Sequence, residues 1–324
     1  MNDYGLSVLP RYGLSAESQV RVRGALLCRT KDGLRLISEV AQPGTKLELC
    51  FELEEQIADL GLLQCDRLLR NEEGKLVTAG EDGRMYLVRC WYPGKECSPT
   101  DREDLVRAAD ALARLHNTAH LPWVKEYQKE SLIDEWGRHN RELRRIRKYL
   151  KGKKNRNEFE KYLFACSDSF LAYGEETLEK LAASSYEKLR ERALRNGSIC
   201  HGACNQHNIL LEKGGEETIV NFEHWSFDVP MADLALFVRK ILEKNSWNPK
   251  TADLVLNAYS ARRPLENEEV EHLMLRLAYP WKYWKIANRY YGNRKVWISA
   301  GNLEKLKRLR EQEKEWQSLV RNKK

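Results

Sequence analysis

The spacing of apolar residues changes once along this chain, at Trp91-Tyr92-Pro93-Gly94. Before that point, short apolar runs are separated by turn residues, the pattern of antiparallel strands. After it, apolar residues recur at helical spacing almost to the end. A chain divided in this way predicts an α+β fold: a small antiparallel-sheet lobe with one helix over 1–92, a hinge at 93–98 and a larger, mainly helical lobe over 99–324. At 324 residues it is long enough to bury a substantial core.

In the first lobe, VRVRGALLCRTKDGLRLISEV (residues 20–40) places two apolar segments around Lys31-Asp32-Gly33 and predicts one hairpin. KLELCFELEEQIADLG sets Leu47, Phe51, Leu53, Ile57 and Leu60 on one helical stripe ended by Gly61. The runs LLQCDRLLRN, EGKLVTA and MYLVRCWY add three strands, for an expected five-stranded sheet. Residues 1–19 are expected to be a tail.

The second lobe opens with SPTDREDLVRAADALARLHNTAH, whose Leu105, Ala108, Ala109, Leu112 and Leu115 form an apolar helix face behind a Ser or Thr cap. Ten Lys or Arg crowd RHNRELRRIRKYLKGKKNR (138–156), with Leu143, Ile146 and Leu150 spaced to face inward. A solvated helix face is the favoured reading there, ahead of a nucleic-acid site. Aromatic and basic residues interleave in YPWKYWKIANRYYGNRKVW (279–297), where helix packing is favoured over base stacking.

Hydrophobic residues at 42% exclude a disordered chain, and a net charge of +7 spread among many acids does not by itself indicate nucleic acid or an anionic membrane as partner. The N-terminus lacks a signal-peptide plan and no apolar run approaches about 18 residues, so a cytoplasmic origin and no membrane span are expected. Eight cysteines without a CxxC unit predict buried free thiols. Cys200 and Cys204, four residues apart around Gly202, are not expected to hold a metal.

The chemistry-bearing stretch is ICHGACNQHNILL (199–211), a polar loop entering the strand-like Ile209-Leu210-Leu211. It is followed by IVNFEHWSFDVPMADLALF (219–237), which reads as strand, turn and helix. Two strands bracketing Lys213-Gly214-Gly215 would bring Asn208 and Asn221 together at the mouth of a hairpin. His201 and His207 invite a nucleophile or metal reading, with Cys204 between them, but no carboxylate stands at a spacing that would orient either ring. His201 is expected to be a buried scaffold residue.

With His201, Gly202 and Asn208 in place, the pattern resembles the aminoglycoside-phosphotransferase branch of the protein-kinase-like fold, where HGDxxxxN precedes a strand ending in Asp. More closely, the chain resembles the CotS-type spore coat proteins of spore-forming bacteria over roughly residues 20–320. RGALLCRTKDGLRLI, YLVRCWYPGKEC, ELRRIRKYL, ICHGACNQHNILL and RLAYPWKYWKIANRYYGNRKVWIS match in order. The resemblance implies a two-lobed fold with degenerate catalytic-type loops at 199–211 and 219–233.

Phosphoryl transfer on that scaffold requires a Lys on the phosphates, a metal-holding Asp and an Asp beside the substrate hydroxyl. By the resemblance these positions fall on Ser38, Asn221 and Ala203, none of which is charged. Arg35 or Arg89 could replace the missing Lys. Asn208 and Glu223 are the remaining candidates for cofactor binding, with Asp228 nearby, and Asp233 is expected to bond backbone amides of the loop.

The resulting expectation is a catalytically inactive kinase-like scaffold without cofactor. It would assemble with other coat proteins in the mother-cell cytoplasm and then the spore coat. The alternative is a slow phosphotransferase using ATP and Mg²⁺ on a small hydroxyl- or amine-bearing metabolite, with Glu223 and Asn208 holding the metal. Nucleic acid is the least expected partner.

Overall fold

Two turns, rather than one, fold the stretch from Ser18 to Val40. Arg23 (φ 49°) and Gly24 (φ 89°) supply the positive φ at both central residues that the tightest hairpin turns require. They separate β1 (Ser18–Val22) from β2 (Ala25–Thr30), and the Lys31-Asp32 turn leads into β3 (Gly33–Val40). The single hairpin expected over 20–40 is therefore a three-stranded meander. VRVRGALLC reads as one apolar run because Arg-Gly is a weak turn signal. The computed structural model describes residues 4–40, 44–292 and 300–322.

The sheet does have five strands, in the antiparallel order β1-β2-β3-β6-β5, with β5 at Val77–Ala79 and β6 at Met85–Trp91. Its membership differs from the expectation. From the run 62–71 only β4 (Gln64–Cys65) is a strand, and it pairs in parallel with β10 (Glu217–Ile219) in a second sheet, β4-β10-β9-β7. That sheet also contains β7 (Lys95–Glu96) and β9 (Ile209–Leu211). The rest of the run lies along β6, where the Leu69 N–H donates to the Val88 carbonyl and the Cys90 N–H to the Arg67 carbonyl, each at 2.8 Å.

The expected tail is structured over its described part. Tyr4–Tyr12 forms a 3₁₀ helix whose Val8 and Leu9 are buried with Leu26, Cys28, Ile37 and Val88, covering the apolar side of the sheet. Helix α1 (Thr45–Asp59) buries Cys50, Leu53, Glu54 and Ile57, so only Leu53 and Ile57 of the expected stripe lie on its inner face. Leu60 follows the helix and is 49% exposed. Helix α2 (Arg102–Thr118) buries Leu105, Ala108, Ala109, Leu112 and Leu115 as expected, but its cap is Asp101, which accepts from the Glu103 and Asp104 N–H groups.

The chain forms two compact units that do not follow a cut at 93–98. The first takes residues 1–127, 196–227 and 255–264, and therefore includes both sheets and a two-stranded ladder of β8 (Ile199–Cys200) with β11 (Ser226–Phe227). The second is helical. It holds α3 (Leu132–Gly152), α4 (Glu158–Ala183), α5 (Tyr186–Arg195), α6 (Met231–Leu242), the start of α7 (Pro249–Arg262), α8 (Asn267–Ala278), α9 (Trp281–Gly292), α10 (Ala300–Glu311) and α11 (Glu313–Asn322).

Leu143, Ile146 and Leu150 face inward from α3. The aromatic segment packs as expected over its described residues, with Tyr279 stacked on Trp136 at 4.1 Å and Tyr283 on Phe170 at 4.6 Å. Residues 293–297 lie outside the described residues. All eight cysteines are free and all but Cys90 are buried. Among the described residues no helix is long and apolar enough to cross a membrane.

Candidate functional site

The β9-β10 hairpin pairs Ile209 with Ile219 at its open end, and this register places Asn208 beside Asn221. The Asn221 side-chain amide donates to Asn208 Oδ1 at 2.9 Å, and Asn208 in turn donates to the Ala203 carbonyl at 3.0 Å. Asn205 donates to the same carbonyl at 2.8 Å. The juxtaposition expected from the sequence is therefore present, and each amide is engaged by the loop itself.

Buried His201 ties the loop to the hairpin. Its Nε2 lies 2.9 Å from the Val220 carbonyl, and its Nδ1 accepts the Ala203 N–H at 3.2 Å, an arrangement that fits a proton on Nε2. Gly202, at φ +76°, sits so close to the next turn that a Cβ there would fall 2.1 Å from the His224 carbonyl oxygen. Asn221 takes a left-handed conformation (φ 70°, ψ 60°), which Asn tolerates better than most residues, and its N–H donates to Asp66 Oδ2 at 2.9 Å.

Of the two arginines considered as replacements for the missing lysine, the structure brings Arg89 into the site. Leu36 pairs with Arg89 and Ser38 with Leu87, so Ser38 and Arg89 share one face of the β3-β6 ladder. Arg35 is on the opposite face and donates locally, to the Leu34 carbonyl at 2.8 Å and the Asp32 carbonyl at 2.9 Å. Arg89 is 1% exposed and meets three carboxylates: Glu54 at 2.9 Å, Glu223 at 3.0 Å and Asp66 at 3.8 Å.

Glu54 and Asp66 escaped the sequence reading. Glu54 had a signal, since an acid stands inside the 50-53-54-57 stripe that α1 buries. Asp66, at the end of a two-residue strand, had none. Glu54 Oε2 also accepts the Leu68 N–H at 2.7 Å. Burial raises both carboxyl pKa values, against the opposing pull of Arg89. Burial alone would lower the Arg89 pKa, but Asp66, Glu54 and Glu223 hold it above its ordinary value. Asp66 Oδ1 and Arg89 Nε are buried without a partner.

Of the remaining candidates, Glu223 lies at the site and Asp228 and Asp233 do not. Glu223 is half-exposed, with one oxygen on Arg89. Asp228 belongs to the second unit and pairs with Arg276 at 3.3 Å, and Asp233 is buried in the first turn of α6. His207 does have an orienting carboxylate, contrary to expectation. Glu96 of β7 bonds both His207 and Arg23, across a sequence separation that no local spacing rule covers.

A five-stranded antiparallel sheet with one inner helix, followed by an HG loop, a hairpin and a helical remainder, defines a two-lobed protein-kinase-like fold of the aminoglycoside-phosphotransferase type. An aminoglycoside phosphotransferase from Alicyclobacillus acidocaldarius superposes with a TM-score of 0.85 at 17% identity, covering 96% of this chain and 92% of that one. A spectinomycin phosphotransferase in complex with ADP and its antibiotic gives 0.62 at 14% identity, covering 94% and 92%. At these identities the likeness is one of fold.

The family model "Spore coat putative kinase YutH" matches residues 7–322, and the chain belongs to that family. Spore coat protein S of Bacillus subtilis (strain 168) is 25% identical over 224 residues, which is 67% of this chain and 64% of that relative's length.

Proposed function

We propose that this chain is a structural or assembly component of the spore coat whose kinase-like site does not transfer phosphate. One observation carries the reading: Arg89, the one fully buried guanidinium or ammonium among the described residues, is already engaged by Glu54, Asp66 and Glu223. A triphosphate brings further negative charge, and here it would meet an excess of carboxylates over cations, the reverse of what phosphoryl transfer requires.

The donor set fits Mg²⁺ poorly for a related reason. Asn208 Oδ1 is occupied by the Asn221 amide, Ala203 offers only a methyl group, and Glu223 has one oxygen on Arg89. A hard cation that sheds water reluctantly favours anionic oxygens at those positions. Family membership supports a place in the coat, reached from the mother-cell cytoplasm, with other coat proteins as partners.

The alternative, a slow ATP-dependent phosphotransferase relying on Glu223 and Asn208, is tested by following ATP turnover in the wild type and in Glu223→Ala with small hydroxyl and amine acceptors. The proposal expects no turnover above solvent background in either protein. Turnover in the wild type that the substitution abolishes establishes the enzyme instead.

A further inference from the structure

The basic helix α3 divides into two populations of cations. Arg138, Arg144 and Arg147 pair with Glu130, Glu175 and Asp168, Lys153 pairs with Glu160, and Arg156 donates to the Leu150 carbonyl at 2.6 Å. Arg141, Arg145, Lys148, Lys151 and Lys154 are exposed, and their side chains form no hydrogen bond or ion pair among the described residues.

The unpaired group has a pattern. Arg141, Arg145 and Lys148 are spaced by four and three residues, which aligns them on one helix face opposite the buried Leu143, Ile146 and Leu150. Like charges at this spacing repel one another and destabilise the helix that carries them. The stripe therefore works against the fold, and an oppositely charged partner would relieve it.

From this we infer that the outer face of α3 is a docking surface for an acidic helical segment of another protein. Cations stepped by four and three residues recur every 6 Å and 4.5 Å or so along the axis. Glu or Asp residues on a second helix repeat at the same steps, as in the flanking charge pairs of coiled coils. Duplex DNA, with a phosphate about every 1.7 Å, demands a broad cationic field. Here Glu175 and Asp168 already neutralise Arg144 and Arg147 beside the stripe, leaving it narrow. The inference uses none of the residues of the kinase-like site, so it stands or falls separately from the proposed lack of catalysis.

The test measures binding of the full chain to a helical Glu/Ala peptide, with Glu at steps of four and three residues, across a salt series, beside poly-dT and vesicles of phosphatidylglycerol. The wild type is expected to bind the helical peptide best, with affinity falling as salt rises. Reversal of the stripe (R141E, R145E and K148E together) should weaken binding about tenfold or more, whereas R138Q should weaken it far less. The neutral triple variant R141Q, R145Q and K148Q, which also removes the repulsion, should fold and lose most of the affinity. Unchanged affinity in the triple variants overturns the inference, as does tighter binding of poly-dT or vesicles through the same residues.

Discussion

Arg89 on β6 donates to Glu54 on α1 at 2.9 Å, with both side chains almost wholly removed from solvent. The pair fixes α1 against the sheet, and the other guanidinium nitrogen reaches Glu223 on the hairpin side at 3.0 Å. One cation thus joins the sheet, the helix and the turn that follows the β9-β10 hairpin.

Arg89→Met should be strongly destabilising, because it leaves Glu54 and Asp66 buried without a countercharge. Breaking such a pair by removing one partner typically costs about 3–5 kcal/mol. Urea unfolding should show the lower midpoint. A loss within about 0.5 kcal/mol of wild type would mean that the cluster does not hold the unit together.

Asn221→Asp, which introduces a carboxylate at the mouth of the hairpin, should also destabilise. The new acid cannot donate to Asn208 Oδ1, and it places another negative charge close to Asp66. Losing this part-buried hydrogen bond should cost about 1 kcal/mol. A stabilised variant would contradict the reading of this loop as adapted to its neutral residues.

Gly202→Ala should lower stability by about 2–4 kcal/mol, from the left-handed backbone and the clash with the His224 carbonyl. Thermal unfolding measures it. A variant as stable as wild type would show that the loop can shift at little cost.

Arg89 and Asn221 differed in how far their positions could be read from the sequence. The buried face of α2, the inward Leu143, Ile146 and Leu150 of α3 and the meeting of Asn208 with Asn221 were all readable, because each follows from local spacing. The packed N-terminus and the pairing of Gln64–Cys65 with Thr218 and Ile219 were not, since they depend on contacts between distant segments, and the Arg23-Gly24 turn was not, because Arg-Gly is a weak turn signal. Arg89 stood open beside Arg35 until the strand register assigned each to a face.

Stability should fall with acid through His139, whose ring stacks on Trp284 with centroids 3.4 Å apart. Burial, with Arg138 assisting, depresses its pKa to about 4. The unfolded chain therefore gains a proton near pH 6.5 that the folded protein refuses until about pH 4. This contribution is intact above pH 6.5 and is lost progressively below it, by up to about 3 kcal/mol. His139→Phe should flatten that limb of the urea-midpoint profile, and an unchanged slope would contradict the assignment.

Thermal unfolding of the wild type with millimolar ATP, with and without Mg²⁺, measures whether the site holds a magnesium nucleotide while Arg89 is engaged by Glu54, Asp66 and Glu223. No stabilisation is expected in either case. A ligand present at a hundredfold excess over its Kd adds about 2.7 kcal/mol. A magnesium-dependent rise of that size would mean that the three carboxylates do not keep the nucleotide out.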